Sequence, residues 1–184
     1  GGLGKGHLVR EIDALDGVMG RAIDRGGIQF RMLNESRGAA VRGPRAQADR
    51  TLYKKAVYEL VKSQKNLDVF EGSVEDIGIK NKTVDYVELS NGLKIRALAV
   101  VLTTGTFLRG IIRVGKDSLP AGRVGDKPSI SLAKKIEKLK FSIGRLKTGT
   151  PPRILKKSIN FNYLDEQLPD KKPIPFSFIN RSIH

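Results

Sequence analysis

Apolar residues near the amino end fall at Leu8, Ile12, Leu15 and Met19, and spacings of four, three and four predict one helix with a single stripe. Ile28 to Leu33 alternates as a short strand. A second helix is predicted from about Arg45 to Lys62, with Leu52, Ala56 and Leu60 on one face and Tyr53 and Val57 widening it. From Leu67 to Thr104 the pattern shortens to runs at 67–70, 77–79, 84–89, 93–97 and 99–103, which read as a β-meander and a final strand. Asn91-Gly92 between two of these runs is a hairpin signal. The last run is continuously apolar, the pattern of a strand covered on both faces of a parallel sheet. Pro128 and Ser129 open a third helix reaching about Lys140, with Ile130, Ala133, Ile136 and Leu139 on one face and Asp126 or Ser129 as its cap. Residues 158–184 hold Pro169, Pro173 and Pro175 with little periodicity, and read as linker or as an element without its partner. The expected class is α/β.

Composition sharpens this picture in one respect. The formal net charge is +15, and it is unevenly spread: residues 110–157 carry 13 Lys or Arg against 3 acids, whereas residues 66–109 carry 5 against 6. Such a local excess, set among Gly and Pro, suits a surface that tracks phosphates. Cysteine is absent and histidine occurs twice, which argues against disulfides, a thiolate metal centre or an independent zinc site. No apolar run approaches membrane-spanning length and no signal peptide opens the chain, so a soluble, intracellular protein is expected. Position 1 is Gly and the first six residues read as an interior loop, which suggests a piece of a longer chain.

Three runs carry candidate chemistry. Gly1-Gly2-Leu3-Gly4-Lys5-Gly6 feeds a helix amino end, where bare backbone can approach a phosphate or a ring; no dinucleotide fingerprint fits residues 1–9, and a plain turn is the alternative. Thr103-Thr104-Gly105-Thr106 follows the predicted buried strand, at the sheet edge where open α/β folds take ligands; a simple β-turn is the alternative. Val74 would lie where such folds meet an adenine. Residues 122–129 and 144–153 set Arg and Lys between glycines and prolines, an arrangement that reaches phosphates with little ordering cost, although Arg123 and Arg145 could serve ion pairs instead. His7 is expected to be a hydrogen-bonding or surface residue, and Asp13, Asp16 and Asp24 to be solvated or paired with Arg10 and Arg21. No catalytic residue is assigned.

The runs GGLGKGHLVREIDA (1–14), Met32-Leu33-Asn34, Arg45-Ala46-Gln47-Ala48-Asp49 with Tyr53, LTTGTFLR (102–109) and GRLKTGTPPR (144–153) together closely resemble the MnmG (GidA) family. That resemblance implies a partial FAD-binding, Rossmann-like domain of the two-dinucleotide-binding flavoprotein type with a β-meander. It places the FAD-binding domain at 1–150, without its first strand and glycine fingerprint, and the start of a second, NAD-side domain or a linker at 151–184. It implies an enzyme that carries FAD, uses NADH and methylenetetrahydrofolate, and works as a homodimer with an MnmE-type GTPase. The product implied is a carboxymethylaminomethyl-type group, or a taurinomethyl-type group in mitochondria, on carbon 5 of the tRNA wobble uridine. The location implied is the bacterial cytoplasm or the mitochondrion. By the same resemblance Gly1, Gly2, Val74, Thr104, Gly105 and Ser129 are expected to contact FAD, and Arg123, Arg145, Lys147 and Arg153 to meet tRNA. Two other readings are a stand-alone basic RNA-binding module and a folate- and FAD-dependent tRNA methyltransferase relative. The family's cysteines, nicotinamide stretch and helical carboxyl domain match nothing here, and Ala39 stands where the family usually has Pro. These 184 residues alone are expected to be inactive.

Overall fold

The computed structural model describes residues 3–183, so the predicted contacts Gly1 and Gly2 lie outside the described residues. Contacts divide the chain into two units, Gly1–Asp68 with Arg153–His184, and Val69–Pro152. The division expected at residue 150 thus meets a chain whose last stretch returns to the first unit.

The first unit opens with α1 (Leu3–Asp13) and α2 (Val18–Gly26), where one continuous helix was predicted. Asp16 adopts a left-handed φ of 65° and the Gly17 amide bonds back to the Ile12 carbonyl at 2.9 Å, which ends α1 and turns the chain. The expected stripe faces outward: Leu8, Ile12, Leu15 and Met19 are all exposed, Leu15 by 85%. What α2 buries is Gly20, Ala22, Asp24 and Gly26. The reason is close approach, since a Cβ on Gly26 would lie 2.7 Å from the Tyr53 backbone nitrogen on the neighbouring helix. Backbones this near leave no room for the large side chains that periodicity favoured.

β1 (Gly27–Leu33) then pairs antiparallel with β2 (Gly43–Ala48). The predicted helix from Arg45 begins instead at Arg50, because residues 45–48 are engaged with β1 and Asp49 caps α3 (Arg50–Lys62). The Asp49 carboxylate accepts the amides of Thr51 at 2.8 Å and Leu52 at 2.9 Å, satisfying two donors that a helix start otherwise leaves open. Of the predicted α3 face, Ala56 is buried and Leu52 is exposed.

The carboxyl-terminal stretch is neither free linker nor partnerless. Asp170 donates its amide to the Phe30 carbonyl and accepts the Met32 amide at 2.7 Å, which ties it along β1. Asp24, only 1% exposed, accepts from the amides of Phe176 at 2.7 Å and Ser177 at 3.0 Å and from the Asn180 side chain at 2.8 Å. Asp13 accepts the Phe178 amide at 2.8 Å, and the Arg10 guanidinium lies over the Phe178 ring and donates to the Pro175 carbonyl. Of the three aspartates expected on a solvated face, only Asp16 fits, paired with Arg21 at 3.1 Å.

The second unit is built on the predicted meander: β3 (Val74–Lys80), β4 (Thr83–Leu89) and β5 (Lys94–Arg96), antiparallel in that order. The Asn91-Gly92 turn forms as expected, with Gly92 at φ 82° and the Asn91 side chain accepting the Leu93 amide. Two expected strands do not form, 67–70 and 99–103. Val101 in the latter is 86% exposed, and no described strand runs parallel beside it; an apolar run without a neighbour has no ladder to complete. A hairpin of β6 (Ile111–Val114) and β7 (Asp117–Pro120) follows. Finally α4 (Ser131–Lys138) buries Leu132 and Ala133 and packs on β3. Neither predicted cap acts: no side chain caps α4, Asp126 is ion-paired with Arg123, and the Ser129 backbone is bonded to Phe107 and Arg109. The α/β class is met, with antiparallel ladders throughout the described strands.

Candidate functional site

The second unit holds a cavity of about 570 Å³, and Val74, Thr104, Gly105 and Ser129 all line it. Four residues separated by up to 55 positions thus converge on one space. Val74 is the first residue of β3, placed there by the register that pairs it with Leu89. Thr104 and Gly105 form a turn closed by the Phe107 amide bonding to the Thr104 carbonyl at 3.1 Å. Gly105 takes φ 56° in that turn, a conformation glycine adopts without strain. Ser129 is held against the same turn by two backbone bonds, its amide to the Phe107 carbonyl at 2.8 Å and its carbonyl from the Arg109 amide at 3.0 Å. With its backbone thus engaged, the Ser129 hydroxyl has no hydrogen-bond partner among the described residues and borders the cavity.

Ile77, Val87 and Leu132 give the cavity apolar walls, Phe107 adds a ring, and Ser73 and the two threonines add hydroxyls. This composition suits a ligand with one apolar, planar part and one polar part that accepts hydrogen bonds. Phe107 and Gly122 lie in two separate runs of note, 102–109 and 122–129, but nothing in their spacing links one to the other. A Cβ on Gly122 would meet the Phe107 ring 2.1 Å away, so the empty side of Gly122 is what lets that ring stand against the cavity. A glycine beside an aromatic in space, fifteen positions apart in sequence, leaves no local signal.

β3 and α4, which each supply cavity-lining residues, also carry engaged charges. Hydrogen bonds from Ser131 and Ser73 hold the Glu75 carboxyl below its ordinary range. For Asp76 burial pulls upward and is the largest single cause, but the Lys135 hydrogen bond, the Ile77 amide and the charges of Lys135 and Lys138 together outweigh it, leaving the carboxyl lowered. Lys135 meets Asp76 at 2.9 Å. Both acids are therefore ionised and engaged at neutral pH.

The expected basic surface is divided. Arg123 is ion-paired with Asp126, and Arg145 donates to the Arg109 carbonyl at 3.2 Å while Arg109 pairs with Glu137. Lys147 is exposed with no ion pair or hydrogen bond among the described residues, in a stretch without regular structure. Arg153 belongs to the first unit, whereas the other three belong to the second. His7 bonds through Nε2 to the Arg42 carbonyl, a hydrogen-bonding role as expected. No described helix is long and apolar enough to cross a membrane, and no described group of His, Asp or Glu could hold a metal ion.

A family model described as glucose inhibited division protein A matches residues 1–184. The chain belongs to the GidA family. Among curated GidA relatives, the tRNA uridine 5-carboxymethylaminomethyl modification enzyme MnmG of Granulibacter bethesdensis (strain ATCC BAA-1260 / CGDNIH1) is 57% identical over 100% of this chain and 30% of its own length. Aquifex aeolicus GidA in its form I crystal superposes with a TM-score of 0.89 at 44% identity, covering 98% of this chain and 30% of that one. The form II crystal gives 0.88 at 44% identity, over 97% and 30%. The chain spans about 30% of the length of the GidA relatives it matches. The family expected from the five sequence runs is the family found.

Proposed function

We propose that this chain is the part of a tRNA-modifying flavoenzyme that holds one half of FAD and contributes to the tRNA surface. The observation that carries the reading is the convergence of Val74, Thr104, Gly105 and Ser129 on one cavity in a chain of the GidA family. The cavity fits an FAD nucleotide: apolar walls suit the adenine, and the Ser129 hydroxyl and the exposed turn at Gly105 suit the ribose or pyrophosphate. When bound, FAD supplies the redox chemistry, and this chain's residues bind and orient it. The modification named for the Granulibacter relative, a carboxymethylaminomethyl group on a tRNA uridine, is the reaction we assign to the whole enzyme. The wobble position, NADH as reductant, methylenetetrahydrofolate as one-carbon donor, an MnmE-type GTPase as partner, a homodimeric state and a place in the bacterial cytoplasm or the mitochondrion complete the proposal. A taurinomethyl group is the mitochondrial counterpart.

Flavin content decides the cofactor half of this reading. The intact protein is expected to purify with, or take up, stoichiometric FAD, seen in its visible absorption. Ser129→Asp places a carboxylate where the cavity would meet a pyrophosphate, and is expected to lower FAD affinity at least tenfold by repulsion, about 1.4 kcal/mol. An intact protein that cannot be loaded with FAD, or a Ser129→Asp variant that binds it as tightly as the parent, removes the assignment. The rival reading, a basic RNA-binding module without cofactor, predicts no flavin and RNA affinity indifferent to added FAD.

A further inference from the structure

The β1–β2 hairpin sets Arg31 directly opposite Arg45. Opposed residues of an antiparallel pair share a face with Cβ atoms about 5 Å apart, and like charges there work against the hairpin. Both arginines are half-buried, and Arg37, from the short turn after β1, joins them in lining a cavity of about 630 Å³ in the first unit. None of the three guanidiniums forms an ion pair among the described residues. Among the described residues the one hydrogen bond of the Arg31 side chain is long, 3.5 Å to the Leu168 carbonyl. Glu35 and Asp170 also border the cavity, two carboxylates against three guanidiniums, and one Asp170 oxygen is already taken by the Met32 amide at 2.7 Å. Asn34, held at a left-handed φ of 56°, supplies a further polar group at the rim.

We infer that this cavity binds a phosphate group between Arg31 and Arg45, with Arg37 contributing a third guanidinium. Planar guanidinium forks match phosphate oxygens two at a time, so a phosphate turns the cross-strand repulsion into two charge-assisted contacts. The cavity shares no lining residue with the basic stretch at 122–153, and the inference does not depend on the flavin or tRNA readings. The phosphate can come from an RNA backbone or from a small phosphorylated ligand.

Thermal melting of the intact protein in inorganic phosphate and in chloride of equal ionic strength tests the site itself, because a ligand that binds only the folded state raises the melting temperature. The parent is expected to melt higher in phosphate. Arg31→Gln relieves the opposed pair, so in chloride it should melt no lower than the parent, and its phosphate response should fall. Arg37→Gln lies outside the ladder and should lose phosphate response with its chloride melting unchanged. Anisotropy of a labelled tRNA then separates the sources: a several-fold loss of affinity in both variants, with a shallower salt slope, assigns an RNA phosphate. Unchanged tRNA affinity with the phosphate response lost assigns a small phosphorylated ligand. A parent that melts alike in both salts, with tRNA affinity unmoved in the variants, overturns the inference. So does a phosphate response that survives in both variants, which would place the ion elsewhere.

Discussion

Asp24 is one buried carboxylate that serves three donors from a stretch of chain some 150 positions away. Hydrogen bonds to a charged acceptor contribute about 1.5–3 kcal/mol each, and a buried donor left unpaired costs about 1–3 kcal/mol. Asp24→Ala is therefore expected to destabilise the intact protein by roughly 3 kcal/mol or more in urea unfolding. Asp24→Asn, which keeps one acceptor oxygen, should fall between the two. A loss below 1 kcal/mol for the alanine variant would mean that the 176–180 stretch is held by something else. The same residue shows where sequence reading stops at this scale. Asp24 sits on a helix beside arginines, which made solvation or local pairing the economical reading, and its actual partners are two backbone amides and the Asn180 side chain, whose positions no spacing encodes. By contrast, Asp49 precedes a helical pattern and caps it, and Asn91-Gly92 makes its turn, because the partner atoms in both cases lie within three residues.

Among elements, the contact between β3 and α4 has a predictable acid limit. The folded Asp76 carboxyl is lowered from its ordinary 3.8, so its ionised form favours the folded state. That contribution is whole above the unfolded value and is lost as pH falls through the folded one. Stability of the second unit is therefore expected to decline below about pH 4, and Asp76→Asn should flatten that part of the profile while lowering stability at neutral pH. Circular dichroism melts between neutral pH and pH 2 report this, and a variant whose acid profile overlays the parent would remove Asp76 from the account. Elements were legible in proportion to how locally they are stabilised. The β3–β4–β5 meander, with its turn residues and alternation, was readable in outline. The apolar run 99–103 has the composition of a buried strand, yet a strand exists only beside another strand, and no described strand pairs with it. The stripe Leu8, Ile12, Leu15, Met19 misled for the opposite reason: these helices pack through glycine and alanine, which periodicity of large residues does not reveal. Four residues lining the candidate cavity were named separately in the sequence, Thr104 and Gly105 within the run 102–109 and Val74 and Ser129 as single positions implied by the resemblance. Its walls, Ile77, Phe107 and Leu132, were not, since they are ordinary apolar positions until the fold gathers them.

For the whole molecule the governing quantity is the charge excess, and structure ranks the cations within it. The net charge of +15 makes some affinity for any polyanion inevitable, so a mere drop in tRNA binding after charge removal says little. Arg123 is already paired with Asp126, and moving it to a phosphate means giving up that partner. Lys147 is exposed and engages no described group, so a phosphate contact there gives up nothing and releases a counterion. Lys147→Ala in the intact enzyme is accordingly expected to weaken tRNA binding several-fold and to reduce the slope of log affinity against log salt by between about 0.7 and 0.9, the value of one phosphate contact. Arg123→Ala removes a cation and frees an acid, and should lower affinity with a smaller change in slope. Filter binding across a range of salt separates the two. Equal slopes for Lys147→Ala and the parent would mean that this lysine tracks no phosphate and acts only through the overall field. FAD content should be unchanged in both variants, because neither residue borders the cavity that Ser129 does.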